Sequence, residues 1–189
     1  MCIETLPTSS YQISRFSKTR NIWTLIKLYK TYVRSKLEFN TPLWSPHLIK
    51  DVKKIEKVQK YFTRRAFKKC NLPYSSYTDR LRQVNMKSLE YRRLYFDLMF
   101  MFRIVNGLAG MNFSNYFKFV ENPYTLRGKK IKIDPCFKSL SPVWQKSFFC
   151  RGPRLWNALP DSITDTKTLF SFKIKLKQFD LSSVAKLVL

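Results

Sequence analysis

Apolar residues recur at helical spacing along much of the chain, and the clearest case is residues 45–69. Successive residues of a helix are turned by about 100°, which gives this segment an apolar stripe and a row of cations opposite it. Ser45 followed by Pro46 is a favourable N-cap and first-turn pair, so we predict that the helix begins there. The members of the apolar stripe are Leu48, Val52, Ile55, Gln59, Phe62 and Ala66.

The cations of this predicted helix form a row that no acidic residue interrupts. The row consists of Lys50, Lys53, Lys57, Lys60, Arg64 and Lys68. Asp51 and Glu56 fall on its flanks. A solvated helix face normally mixes both signs of charge, so an ordinary surface helix is the less favoured interpretation. We predict that the stripe packs on a core and that the six cations meet a polyanion.

The same periodicity predicts further helices. A first helix over residues 18–37 ends at Asn40-Thr41-Pro42 and pairs with the basic helix. A short helix lies within residues 74–84, and a long, mostly buried helix runs from a Ser88 cap to Asn106-Gly107. A last amphipathic helix covers about residues 166–179.

The pattern changes after residue 110, where prolines and short apolar runs replace long helical ones. Residues 125–133 predict a short strand around Gly128, residues 144–150 a strand or a helical turn, and Arg151-Gly152-Pro153 a turn. The predicted fold is mainly α, a bundle of about four to five helices with a less regular C-terminal part that has room for short strands. The predicted organisation is a loose leader (1–17), a helical bundle (18–110) and a C-terminal region (111–189).

Charge narrows the choice of partner. The 189 residues include 36 Lys and Arg against 12 Asp and Glu, a net charge of +24, while 44% hydrophobic residues argue against disorder. Nucleic acid is the default partner, because each phosphate contact releases a condensed counterion. An anionic membrane surface is a weaker alternative, because the basic helix offers only Phe62 and Phe67 as interfacial aromatics. Dispersed cysteines and the absence of a signal-peptide pattern favour an intracellular protein, in the nucleus or the cytoplasm, without a transmembrane segment.

Few residues are available for catalysis. His47 is the single histidine and the four cysteines are scattered, so neither a zinc site of common spacing nor a Cys–His or Ser–His–Asp arrangement is predicted. Two-metal nucleotidyl transfer needs converging carboxylates, and the sequence contains no Asp-Asp pair and no Asp-x-Asp. We predict no catalytic residue, no cofactor and no metal.

Further basic clusters are secondary candidates for nucleic-acid contacts. They are Arg92 with Arg93, the group Arg127, Lys129, Lys130 and Lys132, and Arg151 with Arg154. Aromatic residues interleave with the clusters and would suit stacking on unpaired bases. These aromatics are Tyr61, Tyr77, Tyr91, Trp144 and Trp156. For Trp156 and Trp44, packing in the core is the favoured interpretation.

Three blocks, in order, resemble the region that follows the polymerase motifs in jockey-like LINE (non-LTR retrotransposon) reverse transcriptases. They read LIKLYKTYVRSKLEFNTPLWSPHLIKDVKKIEKVQKYFTRRA, YTDRLRQVNMKSLEYRRLYFDLMFMFRIVNGL, and FFCRGPRLWNALPDSI followed by SFKIKLKQF. The resemblance implies that residues 20–110 correspond to the thumb, a helical bundle that grips the template–primer. The remainder would follow the thumb. The family's catalytic Asp-Asp motif is absent here, so no catalytic residue is carried over.

The resulting hypothesis is a catalytically empty C-terminal fragment of a retrotransposon RNA-directed DNA polymerase. The six cations of the row would hold RNA, an RNA–DNA hybrid or DNA by the backbone, without sequence specificity. The alternative is an interaction or packing module without nucleic-acid binding of its own. It would dock on the palm domain of a polymerase or on an acidic protein. No membrane partner is expected.

Overall fold

The computed structural model describes residues 18–120, 132–134, 142–181 and 184, and these are mainly helical. The described residues contain one sheet, which pairs two short antiparallel strands in the C-terminal part. The elements are α1 (Ile22–Tyr29), a π-helical segment (Lys30–Arg34), α2 (Ser35–Glu38), α3 (Thr41–Trp44), α4 (Ile49–Lys69), α5 (Tyr77–Gln83), α6 (Leu89–Val105), a 3-10 turn (Phe113–Asn115), β1 (Phe119–Val120), β2 (Lys132–Ile133), α7 (Pro142–Gln145), α8 (Phe148–Asn157), α9 (Asp161–Thr164) and α10 (Leu169–Gln178). The predicted fold class is confirmed.

The chain divides into two compact units. Unit 1 contains the described residues up to Asn40 together with Leu48–Arg92, and unit 2 contains Thr41–His47 and the described residues from Arg93 onward. The division therefore falls within α6. The domain boundary at residue 110 rests on composition and stays a prediction. The leader (1–17), the strand around Gly128 and the basic residues 127–130 lie outside the described residues.

Residues in the left-handed region end three of the helices. After α4, Asn71 has φ 54° and the Leu72 N–H donates to the Phe67 carbonyl at 3.0 Å. Asn85 after α5 (φ 48°) and Gly107 after α6 (φ 69°) end their helices with the same pattern of backbone hydrogen bonds. Glycine and asparagine adopt positive φ at low cost, which makes these positions natural helix ends. The predicted end of α6 is confirmed, as is its Ser88 cap, whose hydroxyl accepts from the Tyr91 N–H at 3.1 Å.

The predicted start of the basic helix at Ser45-Pro46 is wrong. Helix α4 begins at Ile49, its N-cap is Leu48, and no side chain caps it. The Ser45 N–H instead donates to the Thr41 carbonyl at 2.9 Å, so Ser45 closes the short helix α3. Helix α3 exists because Pro42 lies in its first turn, where proline's missing N–H costs nothing.

The core of unit 1 lies between α1 and α4. The Tyr29 ring stacks on Phe62 with the ring centroids 4.5 Å apart, and both side chains are fully buried. The predicted stripe is buried from Val52 to Ala66, whereas Leu48 is 42% exposed because it precedes the helix. The predicted pairing of the first helix with the basic helix is confirmed by the contact between α1 and α4.

The core of unit 2 is aromatic and is built on the C-terminal half of α6. The Phe102 ring stacks on Phe172 of α10 at 4.5 Å between centroids, and Trp156 of α8 stacks on the same Phe172 at 5.8 Å. Within α6, Arg103 is the one side chain classed as exposed, as predicted for a mostly buried helix.

Two other expectations for unit 2 are resolved by helix formation. The predicted turn at Arg151-Gly152-Pro153 is wrong, because these residues lie inside α8. For residues 144–150 the helical alternative is confirmed, since Trp144 and Gln145 belong to α7 and residues 148–150 begin α8. Gly152 serves close packing instead of a turn: a Cβ there would lie 3.1 Å from the Phe148 ring and 3.2 Å from the Met101 sulfur. Of the helices that the structure describes, none combines the length and the apolar character needed to cross a bilayer.

Candidate nucleic-acid interface

Helix α4 presents all six cations of the predicted row to solvent. Each of Lys50, Lys53, Lys57, Lys60, Arg64 and Lys68 lies within Ile49–Lys69 and is exposed. At about 100° per residue they fall within an arc of about 80°. From first to last they span about 27 Å along the axis, at about 1.5 Å per residue. The sequence prediction of one exposed basic face on this helix is confirmed.

The charge of the row is not neutralised within the described chain. Ion pairs in the described residues join Glu38 to Arg34 and Arg92, Asp79 to Arg82, and Asp97 to Arg151. None of them includes a cation of the row. The helix carries nine Lys and Arg against two Asp and Glu, a net +7.

Glu56 explains how an acid can lie on this helix without neutralising the row. Its carboxylate accepts the Leu89 N–H at 3.0 Å and the Glu90 N–H at 3.3 Å, and the Tyr77 hydroxyl also donates to it. Backbone N–H groups at a helix N-terminus favour a negative charge. Glu56 therefore stabilises the start of α6 and is directed away from the cations.

Gln59 lies in the predicted apolar stripe, but its role is polar. Its side chain is fully buried: Oε1 accepts from the Tyr29 hydroxyl at 3.2 Å, and Nε2 donates to the Tyr77 hydroxyl and to the Lys87 carbonyl at 3.0 Å each. A satisfied buried network of this kind specifies one packing arrangement. Together with Glu56 it sets the rotation of α4 about its own axis, which is what directs the row outward.

The two tyrosines of this network are held in their neutral form. Burial raises the pKa of Tyr29 well above its ordinary value, and the negative charge of Glu56 adds to the shift. The pKa of Tyr77 is raised mainly by burial and also by Glu56, to which its hydroxyl donates. Neutral hydroxyls can donate to Gln59 and Glu56, whereas phenolates cannot.

Three members of the secondary basic clusters are paired or buried within the fold. Arg92 donates to Glu38 with Nη2 2.8 Å from Oε2, and Arg93 is only 4% exposed. Arg151 is buried, with Nε 2.7 Å from an Asp97 carboxylate oxygen. These three side chains were secondary candidates for nucleic-acid contacts, and their burial or their pairing with an acid argues against that role. The sequence offered no sign of the pairing, since Asp97 and Arg151 are 54 positions apart.

The other candidates have mixed environments. Arg154 is exposed, whereas Lys132 is half-buried in β2. Trp156 is buried, as favoured from the sequence, while Trp44, Tyr77, Tyr91 and Trp144 are half-buried. The exposed Tyr61 is covered in part by its neighbour, since the Arg65 guanidinium lies 5.6 Å from its ring centroid.

Potential metal ligands are dispersed in the described part of the chain. His47 is exposed, and the described residues contain no cluster of three or more His, Cys, Asp or Glu side chains that could hold a metal ion.

Comparison with known proteins gives one match. No protein-family model matches the chain, and no solved structure matches it. An uncharacterized protein of Caenorhabditis elegans is 31% identical over 96 residues, which cover 51% of this chain and 48% of that protein. The chain thus aligns with about half of this curated relative, whose name assigns no activity.

Proposed function

We propose that this chain binds nucleic acid through the phosphate backbone, as the thumb-like and post-thumb part of a LINE-type RNA-directed DNA polymerase. It holds RNA, an RNA–DNA hybrid or DNA and contributes no catalytic residue of its own. The proposal rests on one observation: six exposed cations on a single face of α4 with no acidic partner among the described residues.

The amino-acid composition of the row favours contacts that position a nucleic acid over contacts that recognise its base sequence. Five of its six members are lysines, which act as mobile point charges, whereas base-specific contacts in a groove typically use the planar fork of arginine. Contacts to phosphates fix the register of a bound strand but carry no sequence information. The resemblance to a polymerase thumb supports the same role, and the dispersed cysteines favour the nucleus or the cytoplasm as the location.

A salt titration tests the proposal. The affinity for a labelled duplex is measured as the salt concentration is raised. Six phosphate contacts give a slope of log K against log salt of about −5. The variant Lys53→Gln/Lys57→Gln/Lys60→Gln should reduce the steepness by about 3 on unrelated sequences alike. A slope near zero for the unmodified protein would contradict the proposal.

A matched control separates the row from overall charge. The variant Lys167→Gln/Lys173→Gln/Lys177→Gln removes three exposed cations of unit 2, so both triple variants change the net charge from +24 to +21. If the row is the binding face, the control keeps the slope of the unmodified protein. Equal losses in both variants would mean that binding follows net charge alone.

Exposed apolar side chains in unit 1 favour the alternative function as a docking module. They include Trp23, Tyr32, Phe39, Leu48 and Ile49. Large exposed apolar groups often mark interaction surfaces. Aggregation of the isolated protein that added nucleic acid does not relieve, combined with a flat salt titration, would favour docking on a polymerase domain or an acidic protein.

A further inference from the structure

A cavity opens where the row of cations ends. It has a volume of about 350 Å³ and lies entirely within unit 1. The chain forms it after α4, where it turns at Asn71 and passes through Pro73 before α5 begins. Its lining includes Arg64, Lys68, Leu72, Tyr74, Ser75 and Arg80. The volume falls within the roughly 300–1,000 Å³ of small-molecule sites.

Arg80 is the unusual member of this lining. Its side chain is only 5% exposed; Nη1 donates to the Ser75 carbonyl at 2.5 Å, and Nε lies 3.5 Å from the Thr63 hydroxyl. Hydrogen bonds from Nε and Nη1 are the ones found for this guanidinium among the described residues, and its Cζ lies 5.9 Å from the Tyr77 ring centroid. The nearby Asp79 pairs with Arg82 instead. A buried guanidinium is costly without a counter-charge, and here the cavity adds two more cations, Arg64 and Lys68.

Two further groups in the lining are suited to a ligand. The Tyr74 side chain is 91% exposed, so its ring faces are open to a planar partner. Among the described residues, the buried Ser75 hydroxyl has no hydrogen-bond partner. The cavity therefore combines three cations that form no ion pair with a described acid, a hydroxyl in its wall and an open aromatic ring. A nucleotide phosphate would satisfy the cations, and a base would stack on the ring.

We propose that this cavity binds one unpaired nucleotide that adjoins the duplex held on the row. The phosphate of this nucleotide contacts Arg80, beside Arg64 and Lys68, which hold the adjoining end of the duplex, and the base stacks on Tyr74. This assignment rests on the proposed function, which it deepens: the chain holds a junction between duplex and single strand in preference to a continuous duplex.

The test compares a blunt duplex with the same duplex carrying a short single-stranded extension, at the 5′ or the 3′ end. Stacking of one base predicts that an extended probe binds about 5- to 100-fold more tightly than the blunt one. Tyr74→Ala should bring this ratio close to one and leave the affinity for the blunt duplex unchanged. Tyr32→Ala removes an aromatic ring that is 58% exposed elsewhere in unit 1, and it should leave the ratio intact.

A second arm tests the phosphate contact. Arg80→Met should lower the steepness of the salt dependence by about 1 on the extended probe and not on the blunt one. Because Arg80 is buried, thermal melting checks that the Arg80→Met variant folds. If the variant does not fold, photocrosslinking of the unmodified protein replaces this arm: an iodouridine placed in the extension should attach to Tyr74.

The outcomes separate the two proposals. Steep salt dependence on the blunt duplex with a ratio near one in the unmodified protein overturns the cavity assignment and leaves the proposed function standing. A ratio that survives Tyr74→Ala, or a crosslink that maps elsewhere, also overturns the assignment. Binding of single strands without binding of the duplex overturns the proposed function and keeps the cavity.

Discussion

The six cations of the row on α4 and Arg151 on α8 have opposite environments. On α4, the six members of the row are exposed, and no acidic side chain of the described chain pairs with them. On α8, Arg151 is buried against Asp97 and also donates to the Pro42 carbonyl at 3.1 Å. In a buried pair, each ion depends on the other for compensation, whereas exposed cations are compensated by water until a ligand arrives. Basic residues of the same chain thus serve the fold in one region and remain available for a ligand in another.

Of the substitutions that test this difference between the two regions, the one at Arg151 should have the largest effect on stability. Arg151→Met leaves the Asp97 carboxylate buried without its cation, and we expect a loss of about 3–5 kcal/mol in the free energy of unfolding. Chemical denaturation measures it. The matched change Lys57→Met removes one cation from the row and should alter stability by less than about 0.5 kcal/mol. Similar losses from both variants would contradict the distinction between the two regions.

Glu56 provides the next largest effect, because it is an acid on the basic helix that serves the fold. Glu56→Gln weakens the hydrogen bonds to the Leu89 and Glu90 N–H groups, and a loss of about 1–3 kcal/mol is expected. Asp51→Asn changes the charge of α4 equally but removes only an interaction with the first turn of the helix, so it should cost less than about 1 kcal/mol. Thermal or chemical unfolding of the two variants decides whether the location of the acid or its charge matters.

The buried Tyr29 should make the free energy of unfolding depend on pH in the alkaline range. Its ordinary pKa is 10.0, and the folded protein raises this pKa because the hydroxyl is buried. Above about pH 10 the unfolded chain loses this proton while the folded chain keeps it, so stability is present in full below that pH and falls as the pH rises. The expected slope is about 1.4 kcal/mol per pH unit.

The measurement compares the unfolding free energy of the protein and of Tyr29→Phe from about pH 8 to about pH 11. The variant loses the hydrogen bond to Gln59, which lowers its stability at every pH, but its alkaline slope should be shallower. Parallel curves would show that Tyr29 does not hold its proton in the folded state.

Local patterns were sufficient to predict several elements. The 3.6-residue periodicity of α4 predicted both the buried face and the exposed row, and Ser88 and Gly107 predicted the two ends of α6. Local patterns failed at two places, residues 45–46 and residues 151–153. Pro42 and Pro46 can both occupy a first helical turn, and the hydrogen bond from Ser45 to Thr41 decided for the earlier one. At residues 151–153, close packing at Gly152 outweighed a strong turn signal.

The sequence by itself determined that this protein is mainly helical and that one helix carries an unbroken row of cations, because periodicity and charge are local properties of the chain. The tertiary structure alone decided which polar residues serve the fold, since Gln59 and Glu56 bond to groups between 18 and 34 positions away. It also decided that Arg80 is buried beside two cations of the row at a cavity of nucleotide size. Contacts of this kind depend on chain segments that meet only after folding, and no periodicity encodes them.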